Sequence, residues 1–65
     1  MTHWKIQATN DEDWENILRP LIETEEVEMY SSTRMFVIMF GLSKKQIKLF
    51  KDKGLEVTKM AASFS

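Results

Sequence analysis

The side chains of this sequence that could take part in binding or catalysis are mainly carboxylates, and most of them lie in one segment. Of its ten Asp and Glu residues, eight lie between positions 11 and 28, where Arg19 is the single cation. From position 29 onward, seven Lys and Arg stand against Asp52 and Glu56, so the net charge of −1 conceals an acidic part and a basic part. Such an asymmetry bears on which partners a surface attracts. The acidic set comprises Asp11, Glu12, Asp13, Glu15, Glu23, Glu25, Glu26 and Glu28.

Residues that could carry catalysis or hold a metal ion are scarce. Ser31, Ser32 and Ser43 have no His or Cys near them in sequence to activate a hydroxyl, and His3 is the only histidine. Clustered surface carboxylates also differ from an acid–base pair, which needs two contrasting environments. The absence of cysteine excludes disulfides and thiolate metal sites, and one imidazole cannot build a zinc site. The sequence therefore predicts a protein that is not an enzyme and has no cofactor or metal.

Lysines dominate the second predicted helix. Three of them, Lys44, Lys48 and Lys51, share one face at helical spacing, and Lys45 and Lys53 lie beside them. No aromatic residue or arginine alternates with them and the chain's pI is about 5.7, so they do not predict a nucleic-acid stripe. We expect a solubilising helix face and no direct binding of nucleic acid. If the two helices lie side by side, we expect some of these lysines to pair with carboxylates of the first helix.

The first half of the chain predicts a strand followed by a helix. Trp4, Ile6 and Ala8 alternate with polar residues, which is the period of a half-buried strand. Thr9 with Glu12 reads as a capping box that begins the helix. Pro20 interrupts the helical pattern, so we expect a kink or an early end near Arg19. The apolar stripe of the helix is Trp14, Ile17, Leu18, Leu21 and Ile22.

The second half predicts two strands, a helix and a last strand. Alternation from Val27 through Met29 indicates a strand that ends near a polar turn at 31–34, and residues 35–40 are apolar on both faces, as in a central strand. Gly41 ends this strand. A second capping box, Ser43 with Gln46, begins a helix that Gly54 terminates, and alternation over 55–58 gives the final strand.

The predicted order is β-α-β-β-α-β within a single domain of residues 1–65. For so short a chain we predict an α+β, ferredoxin-like fold, with an antiparallel sheet of order 4-1-3-2 and two helices on one face. No chain remains to cover the other face, which would carry half of the apolar strand 35–40. We therefore predict a homodimer, formed either through that face or through the edge strand at 27–31.

Residues 35–58 resemble a known family. An apolar strand, a helix start of the form Leu-Ser-x-x-Gln and a Gly-Val strand recur in the same order in subtilase propeptide inhibitors, the inhibitor I9 family. In this chain the helix start is Leu-Ser-Lys-Lys-Gln at 42–46, and the strand begins with Gly-Leu-Glu-Val at position 54. This resemblance implies an α+β fold and, as an alternative function, a protease inhibitor or propeptide-type chaperone. In that function the sheet docks on a protease and the C-terminal segment 61–65 approaches its active site.

The charge pattern has a second resemblance. A small cysteine-free chain with clustered carboxylates is similar to phage-encoded host-takeover inhibitors that imitate DNA and block targets such as uracil-DNA glycosylase or the nucleoid protein HU. This resemblance implies an inhibitor that binds a basic, nucleic-acid-binding protein through residues 11–28, and we add Tyr30 on the adjoining edge strand. A purely solvated helix face and a regulatory domain of ACT-like topology remain open alternatives.

The expected location is the cytoplasm. The N-terminal residues lack the basic region and apolar core of a secretory signal. The longest apolar run, residues 35–40, is far shorter than the ~20 residues that span a bilayer. We therefore expect no membrane association.

Overall fold

The computed structural model describes residues 2–24 and 27–60. Within them it has the four strands and two helices that the sequence patterns predict. The fold is mixed α+β, with one four-stranded antiparallel sheet. The first helix, α1, covers residues 11–24. The other elements, in chain order, are β1 (His3–Gln7), β2 (Met29–Ser31), β3 (Phe36–Phe40), α2 (Lys44–Asp52) and β4 (Glu56–Met60), with α1 between β1 and β2.

The strands lie across the sheet in the order β2-β3-β1-β4, which reads β4-β1-β3-β2 from the other edge. All three neighbouring pairs are antiparallel. Ile6 of β1 lies opposite Val37 of β3 and Val57 of β4, so these three side chains share one face of the sheet. The two outer strands, β2 and β4, are the edges.

Both helices pack on the face that carries Ile6. Trp14 and Leu18 of α1 and Phe50 of α2 are buried in one cluster with the apolar residues of that face. The predicted stripe of α1 is confirmed, since its other members, Ile17, Leu21 and Ile22, pack partly buried against the same cluster. The buried members of the cluster are Ile6, Ala8, Trp14, Leu18, Val37, Met39, Phe50 and Leu55.

Helix α1 begins one residue later than the capping box at Thr9 predicts. The N-cap is Asn10, whose side-chain Oδ1 accepts a hydrogen bond of 2.8 Å from the backbone N–H of Asp13. Asparagine is among the best N-cap residues and outranks threonine, so the predicted cap at Thr9 is wrong. Asp11, Glu12 and Asp13 then occupy the first turn, where negative charge interacts favourably with the helix dipole.

Pro20 does not end α1, so the predicted early stop near Arg19 is wrong. The helix is α-helical over Asp11–Asp13, π-helical over Trp14–Leu18 and α-helical again over Arg19–Thr24. The N–H of Arg19 donates to the carbonyl of Trp14, five residues earlier. This wider turn immediately precedes the proline, whose ring would otherwise clash with the carbonyl four residues before it.

The boundaries of the strands differ from the prediction by one or two residues. β2 lacks Val27, and β3 starts at Phe36 because Met35 adopts a left-handed φ of 58° in the preceding turn. β4 begins at Glu56 and continues to Met60, beyond the predicted end at position 58. The prediction of a central strand at 35–40 is confirmed for Phe36–Phe40, because β3 lies between β2 and β1 in the sheet.

Helix α2 begins and ends as its sequence predicts. Ser43 Oγ accepts from the N–H of Gln46, and the Gln46 side chain accepts from the N–H of Ser43, which completes the capping box. Gly54 follows the helix with φ of 85°, a conformation that glycine adopts without steric cost. Within residues 2–24 and 27–60, neither helix is long and apolar enough to cross a membrane.

Candidate functional site

The predicted acidic set lies mostly on the outer surface of α1. Asp11, Glu12, Glu15 and Glu23 are exposed, as is Glu28 just before β2. Asp13 is half-buried. Two members of the set, Glu25 and Glu26, lie outside the described residues. The helix thus presents its carboxylates to solvent while its apolar stripe packs on the sheet.

A groove of about 590 Å³ runs between α1 and the edge strand β2. It brings together four residues of the predicted site, Asp11, Glu15, Glu23 and Tyr30, whereas Glu12, Asp13 and Glu28 are not among its lining residues. We call it the acidic groove. Four further residues, which the sequence reasoning did not assign to a site, complete its lining: Trp14, Arg19, Ile22 and Ser32.

One cation partly neutralises the acidic groove. Arg19 Nη1 lies 3.0 Å from Glu15 Oε2 and 3.1 Å from Glu15 Oε1, one helical turn apart, and both side chains are more than half exposed. The described residues contain no ion pair between a lysine of α2 and a carboxylate of α1, so the pairing predicted between the helices is wrong for this part of the chain. The groove keeps three carboxylates against one guanidinium.

The outer edge of β2 borders this groove. Ala8 N–H donates to Met35 O, so residues 35, 37 and 39 turn their backbone groups toward β1. Residues 36, 38 and 40 then face β2, so Met29, opposite Ile38, and Ser31, opposite Phe36, turn their backbone groups inward. The N–H of Glu28, just before β2, also donates to Ile38 O, so the alternation begins only at Met29. Because backbone groups alternate along a strand, Tyr30, which lies opposite Val37, turns its N–H and C=O outward.

The face of the sheet opposite the helices carries a mixed surface, which we call the open face. No described helix covers it. Phe36, Ile38 and Phe40 of β3 lie on it with Met29 of β2, while β1 contributes Lys5, whose Nζ lies 4.8 Å from the centroid of the Phe36 ring. Met29 is 48% and Phe40 43% exposed. The apolar half along β2 and β3 therefore adjoins a polar half along β1 and β4.

Three of the four lysines of α2 line two surface depressions, and Lys51 lines neither. Lys45 and Lys48 flank the exposed Leu49 on the outer side of the helix. Lys44 instead lies near Lys59 and Trp4 at the end of the sheet. Neither depression contains a residue of the predicted acidic site, and neither adjoins the free backbone edge of β2.

Comparisons with protein families, with curated proteins and with solved structures give no match to this chain. Across residues 2–24 and 27–60, no three His, Asp or Glu side chains group together in a way that could hold a metal ion. The chemistry of this surface is therefore argued from its own residues.

Proposed function

We propose that this chain is a non-enzymatic interaction protein that binds a basic partner through the acidic groove and the carboxylates of α1. The partner is a nucleic-acid-binding protein, and binding inhibits it by occupying the surface that would otherwise hold DNA or RNA. The single observation that carries the proposal is the acidic groove, where Asp11, Glu15 and Glu23 meet beside Tyr30.

Charge and exposure support a basic partner. The carboxylates of the groove belong to exposed side chains, so their charge reaches an approaching protein without a rearrangement of the fold. Double-stranded DNA presents one negative charge per ~1.7 Å of its axis, and a nucleic-acid-binding surface is built to meet such a row of charges. The exposed carboxylates along α1 offer a short row of the same sign, in keeping with the resemblance to inhibitors that imitate DNA.

A competition experiment tests this function. The tagged chain of residues 1–65 is used to capture partners from a bacterial lysate, and the captured proteins are identified by mass spectrometry. We expect a nucleic-acid-binding protein that is released by excess duplex DNA, and we expect the chain to displace labelled DNA from that protein in a mobility-shift assay. A partner that holds DNA and this chain simultaneously would contradict the proposal.

We propose a ferredoxin-like arrangement for the fold and a homodimer for the assembly. The fold proposal is supported by the order β4-β1-β3-β2, the antiparallel pairing and the packing of both helices against one face. The dimer proposal is supported by the exposed Met29 and Phe40 on the open face. A chain of this size has a small core, and a partner copy would add buried apolar area. The cytoplasmic location stays a prediction.

A protease inhibitor of the I9 type is the second candidate function, and the observation that favours it is the same open face. In that function the face would dock on a protease, and the affinity would depend on residues 61–65, which lie outside the described residues. Removal of 61–65 separates the two candidates, because it would abolish protease inhibition and leave binding through α1 unchanged.

A further inference from the structure

The free edge of β2 and the acidic groove lie side by side, and together they suggest what part of a partner they fit. The edge offers the outward N–H and C=O of Tyr30, which can pair with the backbone of an added strand. The groove offers three carboxylates on the helix side of that same edge. Because the two features adjoin, a single extended peptide can use both. Its backbone can pair with the strand edge while its side chains bind the carboxylates of the groove.

We infer that the edge of β2 is a docking site for an extended basic segment of the partner, which adds to the sheet as a fifth strand. This inference rests on the proposed function and deepens it by naming the element that the site recognises. The occupant is an unfolded or loop segment of a protein, with Lys or Arg at every second position.

The alternation follows from the register of the sheet. Tyr30 lies opposite Val37, on the helix side, whereas Met29 and Ser31 lie on the open face. In an added strand, the residue opposite Tyr30 and those two positions away from it point to the same side as Tyr30. Their side chains therefore enter the acidic groove near Glu15 and Glu23, and the intervening side chains lie beside Met29.

Complementarity of charge selects this occupant over a second copy of the chain. A second β2 strand would bring another Glu28 and another acidic α1 to the same edge. The like charges of the two copies would then repel each other. A basic segment instead finds Asp11, Glu15 and Glu23 with one guanidinium among them. The exposed fraction of Tyr30, 53%, leaves room for a neighbouring strand to pack against its ring.

Peptide titration of the chain of residues 1–65 tests the inference. The probe is the capped heptapeptide Lys-Val-Lys-Val-Lys-Val-Lys. One control has the same composition in blocks, Lys-Lys-Lys-Lys-Val-Val-Val, and a second control is the alternating peptide with its three central residues, Lys-Val-Lys, N-methylated, so that the backbone donors on both edges of the added strand are blocked. We expect the alternating peptide to bind roughly ten-fold more tightly than either control, a ratio that corresponds to about one or two net hydrogen bonds. In hydrogen-exchange NMR, the amide of Tyr30 should become protected by the alternating peptide alone.

The variant Tyr30→Pro removes the outward N–H and leaves the ladder between β2 and β3 intact, because Met29 and Ser31 supply the inward groups. We expect it to bind the alternating peptide roughly ten-fold more weakly than Tyr30→Ala, which keeps the N–H. If Tyr30→Pro does not fold, the N-methylated peptide makes the same comparison on the unaltered protein.

Two outcomes would overturn the inference, and both leave the proposed function to its own test. Equal affinity for all three peptides would show that charge alone governs binding, without strand addition. A dimer that becomes a monomer in Tyr30→Pro, with no peptide bound, would show that a second copy occupies the edge. Failure of the proposed function is recognised separately, by a captured partner that does not compete with DNA.

Discussion

The two helices pack on the same sheet face, yet their charged surfaces have different surroundings. The carboxylates of α1 adjoin the acidic groove and the outward backbone of Tyr30. Three lysines of α2 flank Leu49 or lie near Trp4, away from that edge. A row of like charges on an exposed helix is common as a solvated surface. Among the residues that the structure describes, α1 alone combines such a row with a groove and an unpaired strand edge, which is why the binding site is proposed there.

The largest expected effect is on the free energy of unfolding and concerns the packing of α1 against the sheet. Trp14 is buried in the core and its ring also contributes to the wall of the acidic groove. Trp14→Ala should cost about 3–5 kcal/mol of the free energy of unfolding, against a total near the low end of ~5–15 kcal/mol, so the variant should be largely unfolded. Circular dichroism and chemical denaturation measure the loss.

Phe50→Ala is the matched change on α2, since Phe50 is as buried as Trp14 and belongs to the same cluster. It should cost a similar free energy. A folded Trp14→Ala protein that had lost partner binding alone would contradict this packing and would assign Trp14 to the interface instead.

The next effect is on partner binding and separates the two charged helices directly. Reversal of Glu12, Glu15 and Glu23 to Lys should abolish binding to the basic partner while leaving the fold intact, because all three side chains are exposed. The affinity of the unaltered protein should fall steeply between 0.1 M and 1 M salt, as the Debye length shrinks from ~10 Å to ~3 Å. Binding assays at several salt concentrations give both results.

The control for this reversal is the equivalent change on α2, in which Lys44, Lys48 and Lys51 become Glu. These side chains are exposed too, so the fold should survive equally well. We expect binding to change little, because they lie outside the acidic groove. An affinity that is insensitive to salt would contradict binding through the carboxylates of α1. A larger loss of affinity in the Lys→Glu variant of α2 than in the Glu→Lys variant of α1 would contradict it as well.

A third effect concerns the open face. The protein should have the mass of a dimer by light scattering at tens of micromolar, and Phe40→Lys, which places a charge on the open face, should make it monomeric. The matched change on a helix is Leu49→Lys, since Leu49 is exposed to a similar degree on α2, and it should leave the dimer intact. A monomeric unaltered protein whose unfolding does not depend on concentration would contradict the dimer.

The order and type of the elements could be predicted from the sequence because each has a local signal. Ser43 with Gln46 and the glycine at 54 define α2 at both ends through backbone chemistry that needs no other element. The early stop predicted near Pro20 is wrong, since the local rule for proline does not include a preceding π-helical turn that makes room for its ring. The alternative of a kink stays a prediction. Met35 likewise adopts a conformation that is rare for a residue with a side chain.

The acidic groove could be predicted only in part. Its carboxylates stand out as a cluster in the sequence, but Ser32 joins them only because the chain returns at β2 to lie beside α1. Trp14 and Ile22 belong to the apolar stripe, and a helical wheel gives no sign that they also line a surface groove. The available signal for Arg19 is its position four residues after Glu15, which favours an ion pair within the helix.

Smaller effects are expected at the helix N-termini. Asn10→Ala removes the acceptor for the N–H of Asp13 and should cost about 1 kcal/mol of stability. Ser43→Ala removes the equivalent acceptor of α2 and should cost about the same. Thr9→Ala should cost much less, because Thr9 is not the N-cap. Denaturant midpoints compare the three variants, and a larger loss for Thr9→Ala than for Asn10→Ala would contradict the assigned start of α1.

The smallest effect on stability is expected at Arg19, where it should be accompanied by a gain in affinity. The ion pair with Glu15 is exposed and spans one helical turn, so Arg19→Gln should change the free energy of unfolding by no more than about 0.5 kcal/mol. The same change removes the only cation among the lining residues of the acidic groove and frees Glu15 to meet an incoming Lys or Arg. The basic partner should therefore bind more tightly, most clearly at low salt. Lys48→Gln is the control, because it removes a cation from α2 and should leave the affinity unchanged. If Arg19→Gln weakened binding, the guanidinium itself would be a contact of the partner, and the charge of the groove would have to be assigned differently.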